Sequence, residues 1–102
     1  MDKYNQFIED NAKEDAIEIA DNILDSEYYN GKVNMSVKLQ MYLDSFREYY
    51  ESNFEDEDVD IDDATVKYKT QLTTLLHEKL DKDFILTEET DDNILWMDVT
   101  YR

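Results

Sequence analysis

The stretch from residue 34 to residue 54, NMSVKLQMYLDSFREYYESNF, carries the clearest helical periodicity of the chain. At about 100° per residue its larger apolar side chains fall within a third of the circumference. These side chains are Met35, Leu39, Tyr42, Leu43, Phe46, Tyr49 and Tyr50. Because asparagine is a common N-cap, the pattern predicts a helix that Asn34 caps and that runs to about Phe54 with this face buried.

Similar patterns on both sides predict two further helices. The first runs from Tyr4 to Tyr28, and Asn30 and Gly31 terminate it. The pattern also allows an interruption near Asn11. Its apolar stripe is Ile8, Ala12, Ala16, Ile19, Ala20 and Ile23. The third helix follows the acidic stretch 55–63, takes Asp60 or Asp62 as its cap and runs to about Lys82. It is predicted to bury Ile61, Ala64, Tyr68, Leu72, Leu75 and Leu76.

The C-terminal residues change from helical to strand chemistry. Residues 84–87 and 94–101 are rich in strand formers, and residues 90–93 supply turn-forming side chains between them. This pattern predicts a β-hairpin in which Leu95, Met97, Val99 and Tyr101 share one face. Ile94 and Trp96 on the other face are available to a partner or to a second copy of the chain, so a homodimer stays open.

These elements predict a single acidic globular domain over residues 1–102, of the α+β class and mainly α. Three long helices pack as a small bundle, followed by the hairpin. With 41% hydrophobic residues the chain can form a core, and the absence of Pro and the single Gly favour long helices. It lacks cysteine, a signal-peptide pattern and any apolar run near membrane-spanning length, so we expect a protein of the cytoplasm of a bacterial host cell, with no membrane partner.

Acidic residues dominate the surface of this predicted domain. The chain has 27 Asp and Glu against 10 Lys and Arg, a net charge of −17. Repulsion between so many like charges destabilises a compact state. The net charge also exceeds what a small domain needs for solubility. Residues 1–63 hold 19 acids and 5 bases, whereas residues 64–82 hold 2 acids and 4 bases. We therefore expect the third helix to be a buried scaffold and the first two helices to carry a functional charge.

The acids of the first two helices recur every three or four residues, which aligns them in two rows. The rows span about 80° and about 60° of their helices, roughly opposite the apolar faces. A solvated helix face usually mixes signs, but few bases alternate with these acids. We predict a partner-binding surface made of both rows and the acidic stretch that follows them: Asp10, Glu14, Glu18, Asp21, Asp25, Asp44, Glu48, Glu51, Glu55, Asp56, Glu57, Asp58 and Asp60.

Charge also indicates the kind of partner. A surface this acidic repels nucleic acid, so direct nucleic-acid binding is not expected, and it attracts basic clefts. One helical row provides a charge every 5 to 6 Å or so, against roughly 3.4 Å per DNA strand. Two neighbouring rows, with the acidic stretch 55–63 beside them, approach the charge density of one or both strands. The predicted partner is a basic nucleic-acid-binding protein.

In composition and charge placement the chain resembles the DNA-mimic inhibitors that phages and mobile elements direct against bacterial defence nucleases. The resemblance covers the whole chain but includes no sequence motif and no particular residue. It implies an anti-CRISPR or anti-restriction inhibitor that acts stoichiometrically and blocks the nucleic-acid channel of a CRISPR effector or restriction enzyme.

An immunity protein or antitoxin that neutralises a nuclease toxin is the alternative. Such proteins resemble this chain in being small, acidic and helical, and colicin-type members combine carboxylates with a pair of tyrosines. Tyr28 with Tyr29 and Tyr49 with Tyr50 are the candidate pairs. Tyr49 and Tyr50 lie on the apolar face of their helix, so we expect both in the core.

Catalytic and cofactor motifs are absent from the sequence. His77 is the only histidine, so neither a triad nor a histidine metal cluster can be built. Asp56, Asp58, Asp60 and Asp62 alternate as in a calcium loop, but the glycine and glutamate that an EF-hand needs are missing at the corresponding positions. We predict no enzymatic activity, no cofactor and no specific metal site.

Overall fold

Three helices and three strands make up the described part of the chain in the computed structural model. The model describes the backbone of residues 2–30 and 34–102 and the side chains of residues 2–26 and 35–102. The elements, in chain order, are α1 (Lys3–Asn30), β1 (Asn34–Val37), α2 (Leu39–Asn53), α3 (Ile61–Leu80), β2 (Phe84–Asp91) and β3 (Ile94–Tyr101). The predicted α+β class, mainly helical, is confirmed, and one strand is added to it.

Helix α1 is one uninterrupted helix of 28 residues, about 42 Å long. Every member of its predicted apolar stripe is buried. At Asn11, where an interruption was left open, the helix continues, and the side-chain amide donates a hydrogen bond to the Phe7 carbonyl at 2.8 Å. The stripe follows from local sequence, whereas the continuity at Asn11 is decided by the structure.

The predicted start of the second helix is wrong. Asn34 begins strand β1, and α2 starts at Leu39 after Lys38 as its N-cap. Met35 and Val37 belong to the strand, where they lie opposite Val99 and Met97 of β3. Pairing with β3 gives residues 34–37 a ladder of backbone hydrogen bonds, which they would lack as the first turn of a helix.

Helix α3 is the central element, as predicted. Asp60 caps it, and its side chain accepts a hydrogen bond from the backbone N–H of Asp63 at 3.0 Å. The Tyr68 ring stacks on Phe46 of α2 with 4.3 Å between ring centroids, while its hydroxyl donates to Asp15 of α1. α3 therefore joins the other two helices, and it ends at Leu80, slightly before the predicted Lys82.

The hairpin is confirmed, with a tighter turn than the sequence predicted. Strand β2 continues to Asp91, so Thr90 lies in the strand and only Asp92 and Asn93 form the turn. Both have positive φ, 51° and 64°, as a two-residue hairpin turn of the primed type requires. The sheet order is β1-β3-β2, with both pairs antiparallel.

The sheet covers one side of the helices through alternate residues of β3. Leu95, Met97 and Val99 are buried as predicted, whereas Tyr101 is 36% exposed at the strand end. The core also includes all predicted residues of α3 except Ile61 and Leu75, which are partly buried. No helix in the described part of the chain combines the length and apolar character needed to cross a bilayer.

Tyr49 departs from the predicted core. Its side chain is 63% exposed, whereas Tyr50 is 4% exposed and Phe46 is 1% exposed. Tyr49 stands at the edge of the apolar arc of α2, about 60° from Phe46. At that edge α1 and α2 leave an open groove between them, which Tyr49 lines.

Candidate protein interaction surface

The first acidic row lies along α1 and is exposed over its whole length. It consists of Asp10, Glu14, Glu18, Asp21 and Asp25. Asp10 accepts a hydrogen bond from the amide of Gln6 at 2.8 Å. No ion pair found among the described residues includes a member of this row, so its negative charge is displayed to solvent.

The second acidic row lies along α2 and just beyond its end. It consists of Asp44, Glu48, Glu51 and Glu55, all exposed. Asp44 accepts a hydrogen bond from Gln40 at 3.0 Å. Within the described residues this row also takes part in no ion pair.

Basic side chains pair with acids elsewhere on the surface. Across the described side chains, the pairs that involve Lys or Arg are Lys3–Glu57, Lys13–Glu9, Arg47–Asp62, Lys67–Asp63 and Lys69–Glu88, at 2.7 to 3.4 Å. The two rows are thus left with excess negative charge while neighbouring acids are compensated.

The acidic stretch after α2 has a different role from the rows. Glu57 accepts hydrogen bonds from the Lys3 ammonium and the Tyr4 hydroxyl, and these bonds hold the pKa of its carboxyl below the ordinary value. Asp60 is committed to the cap of α3. Asp56 and Asp58 remain exposed. Of the predicted surface residues in this stretch, two therefore hold the fold together.

Helices α1 and α2 lie side by side in antiparallel directions, which brings the rows together. Near the start of α1, the Phe7 ring lies 5.5 Å from Phe54 at the end of α2. Further along α1, Glu18 lies close enough to Tyr42, near the start of α2, to act on its hydroxyl: burial, followed by the charge of Glu18, raises the pKa of that tyrosine. The two rows therefore run beside each other in opposite chain directions.

An open groove of about 550 Å³ separates the rows, and we call it the α1–α2 groove. Its lining residues are Phe7, Asn11, Glu14, Tyr49, Ser52 and Asn53. A neighbouring depression on α2 shares Ser52 and is lined by Glu48, Glu51 and Glu55. Carboxylates of the first row and of the second row thus flank one continuous stretch of surface.

Asp15 is an acid whose position the sequence did not reveal. It lies on α1 between the row and the apolar stripe, is partly buried, and accepts the hydroxyl of Tyr68 at 2.5 Å. Burial raises the pKa of its carboxyl above the ordinary value, and the bond from Tyr68 opposes part of that rise. Asp15 is thus an internal contact between α1 and α3 rather than part of the exposed surface.

The outer face of the sheet carries the second group of predicted contact residues. Ile94 and Trp96 are partly buried there, and the Lys38 ammonium lies 5.9 Å from the Trp96 ring centroid. Asp98 and Glu89 share a hydrogen bond that raises the pKa of Glu89, and Ser36 donates to Asp98 at 2.6 Å. These side chains already engage one another across the strands.

No three or more His, Asp or Glu side chains converge as a metal site in the part of the chain that the structure describes. His77 lies near the end of α3, where its Nδ1 is 2.8 Å from Asp81.

Comparison of the chain with protein-family models, with curated proteins and with solved structures gave no match. Function is therefore inferred from the residues of this chain alone.

Proposed function

We propose that the protein is a stoichiometric inhibitor that occupies the basic nucleic-acid channel of a nucleic-acid-binding protein. The target class that the charge fits is a bacterial nuclease, such as a CRISPR effector or a restriction enzyme, and the inhibitor is of phage or mobile-element origin. One observation carries the proposal: two exposed acidic rows, unpaired with bases among the described residues, lie on adjacent antiparallel helices.

The electrostatic argument concerns density as well as sign. Each row places a carboxylate about every 5 to 6 Å along its helix, and the duplex carries one charge per roughly 1.7 Å with both strands counted. Two neighbouring rows double the charge that one helix presents. Lys and Arg that normally hold phosphates can then form charge-assisted hydrogen bonds with these carboxylates, and long-range attraction accelerates association.

The organisation of the bases supports a role in binding. Lys3, Lys67 and Lys69 pair with acids outside the rows, and no base pairs with a row member among the described residues. Like charges spaced three or four residues apart destabilise a helix by a few tenths of a kcal/mol per pair. A partner that neutralises the rows removes this cost.

The direct test begins with capture of the target on immobilised protein from a bacterial lysate, elution by salt and identification by mass spectrometry. A gel-shift titration with the purified target and its nucleic acid then measures competition. The expected result is loss of the nucleic-acid complex as inhibitor is added. A ternary complex with undiminished affinity for nucleic acid would show that mimicry is wrong and that any inhibition is allosteric.

Charge reversal locates the interface. Glu14, Glu18 and Asp21 changed together to Lys, or Asp44, Glu48 and Glu51 changed together, should slow association and weaken binding with the fold retained. The matched control is the reversal of Glu78, Asp83 and Asp91, which are exposed outside the rows and change the net charge equally. If the control loses as much affinity for the target as both row variants do, only total charge matters and the rows are not the interface.

An immunity protein against a nuclease toxin is the second candidate, and the exposure of Tyr49 favours it. Tyr49 stands beside Glu48 with 63% of its surface exposed, so one of the predicted tyrosine pairs offers a contact residue. The side chains of the other pair, Tyr28 and Tyr29, lie outside the described residues. A toxin gene beside the coding sequence, or a toxin nuclease as the captured protein, would favour immunity over anti-defence.

A further inference from the structure

The most exposed aromatic ring of the described residues lies between the two acidic rows. Tyr49 is 63% exposed and lines the α1–α2 groove together with Phe7. Rings elsewhere in the same region have a cation from their own chain: the Lys3 ammonium lies 5.4 Å from the Tyr4 centroid and 5.9 Å from that of Phe54. Among the described contacts, no base of the chain lies over Tyr49.

Every polar side chain that lines the groove can accept a hydrogen bond, and its surroundings are negative. Glu14 contributes a carboxylate from the first row. Asn11 uses its amide nitrogen to bond the Phe7 carbonyl, so its amide oxygen is the atom left for an incoming donor. Asn53 adds a second amide and Ser52 a hydroxyl, and Ser52 adjoins the second row. The groove is complementary to a cation with several donors.

We propose that the α1–α2 groove seats an arginine side chain of the basic partner. The guanidinium stacks over the Tyr49 ring and donates to Glu14 and to the amide oxygens of the groove. Arginine fits better than lysine because its guanidinium is planar, is more weakly hydrated and presents five donors in a fixed fork, whereas lysine is a compact, strongly hydrated charge. This inference rests on the proposed function, since it assumes a basic protein partner.

The rows and the groove then contribute different properties to binding. The rows attract any basic surface over a distance set by the ionic strength. The groove acts at short range, where the Tyr49 ring and the Glu14 carboxylate discriminate between cationic side chains. A partner with an arginine in its nucleic-acid channel is retained in preference to one that uses lysine at the corresponding position.

Two peptides of equal charge test the inference on the intact protein. Fluorescently labelled hexa-arginine and hexa-lysine are titrated at the same low ionic strength, and anisotropy gives each dissociation constant. We expect hexa-arginine to bind about three- to fivefold more tightly. In Tyr49→Ser that preference should shrink, mainly through weaker binding of hexa-arginine, because the stacking is lost while the carboxylate contacts remain, whereas Tyr49→Phe should keep it in full.

Val66→Ser is the matched control, because Val66 has the same exposed fraction of 63% and lies on α3 outside the groove. It should preserve the preference for arginine, and circular dichroism melts should show that each variant folds. If both peptides bind but the wild type shows no preference, or the preference is as large in Tyr49→Ser as in the wild type, the groove proposal is wrong while the acidic surface stands. If neither peptide binds in a salt-sensitive manner, the proposed function fails and the groove proposal fails with it.

Discussion

Raising the ionic strength should stabilise the folded protein, because each acidic row repels itself. The first row contains four neighbouring like-charge pairs, and the second row contains two within α2, because Glu55 lies beyond the end of that helix. Each helical pair costs about 0.2–0.5 kcal/mol, so the six pairs destabilise the helices by about 1–3 kcal/mol at low salt. Between 10 mM and 150 mM salt the Debye length falls from roughly 30 Å to 8 Å. For two carboxylates about 6 Å apart, the stronger screening removes roughly two fifths of their repulsion, which sums to about 1 kcal/mol over the rows.

For a domain of this size, 1 kcal/mol corresponds to a rise in melting temperature of roughly 4–8 °C. The measurement is thermal unfolding followed by circular dichroism in sodium chloride from 10 to 150 mM at constant pH. The exposed ion pairs weaken under the same screening, but pairs of this kind contribute little. Binding to a basic partner should weaken over the same range, opposite in direction to the stability.

A variant with Glu14, Glu18, Glu48 and Glu51 changed to Gln is the control. These four residues take part in five of the six helical pairs, so the variant should melt higher than the wild type at 10 mM salt and respond less to added salt. A melting temperature that falls as salt is added to the wild type would mean that the acids are stabilised by bases within the fold. That result would refute the view that the rows are held for a partner.

Three substitutions test the packing that supports this surface. Phe46→Ala should destabilise the protein by about 3–5 kcal/mol in urea unfolding, since Phe46 is 1% exposed and stacks on Tyr68; a loss well below 1 kcal/mol would mean that the ring is not central to the core. Asp60→Ala should cost about 1 kcal/mol by the same measurement through loss of the α3 cap, and an unchanged midpoint would contradict that role. Asp15→Asn should be more stable than wild type at pH 7, because the raised pKa of Asp15 means that the fold disfavours its charged form. The difference in stability between variant and wild type should shrink as the pH falls through the raised pKa of Asp15 toward the ordinary carboxyl value. A variant that is less stable than the wild type at pH 7 would contradict this prediction.

Much of the fold was predictable because its helices are amphipathic over long stretches. The stripe of α1 and the buried face of β3 are local patterns in which residue type and spacing determine which side faces the core. Residue type also limited the cap of α3 to Asp60 or Asp62, and the structure has Asp60. The alignment of the acids in rows also follows from spacing alone, and every row member is exposed. These features needed no knowledge of which elements are neighbours.

The remaining features depend on contacts between residues distant in sequence. Residues 34–37 resemble the first turn of a helix, and only the edge of β3 makes them a strand. In the sequence Glu57 is one acid among several, but in the fold Lys3 and Tyr4 lie beside it and bind its carboxylate. Asp15 is partly buried because it contacts Tyr68 of α3.

Sequence by itself determined which residues could face inward and how the charge is distributed along each helix, since both depend on a periodicity of about 3.6 residues. The tertiary structure decided which of those faces are covered and that the two rows lie beside each other. It also placed Tyr49, at the edge of the apolar arc of α2, in a groove rather than in the core. The physical reason is that burial is a property of two surfaces that meet, and the spacing of residues within one helix describes only one of them.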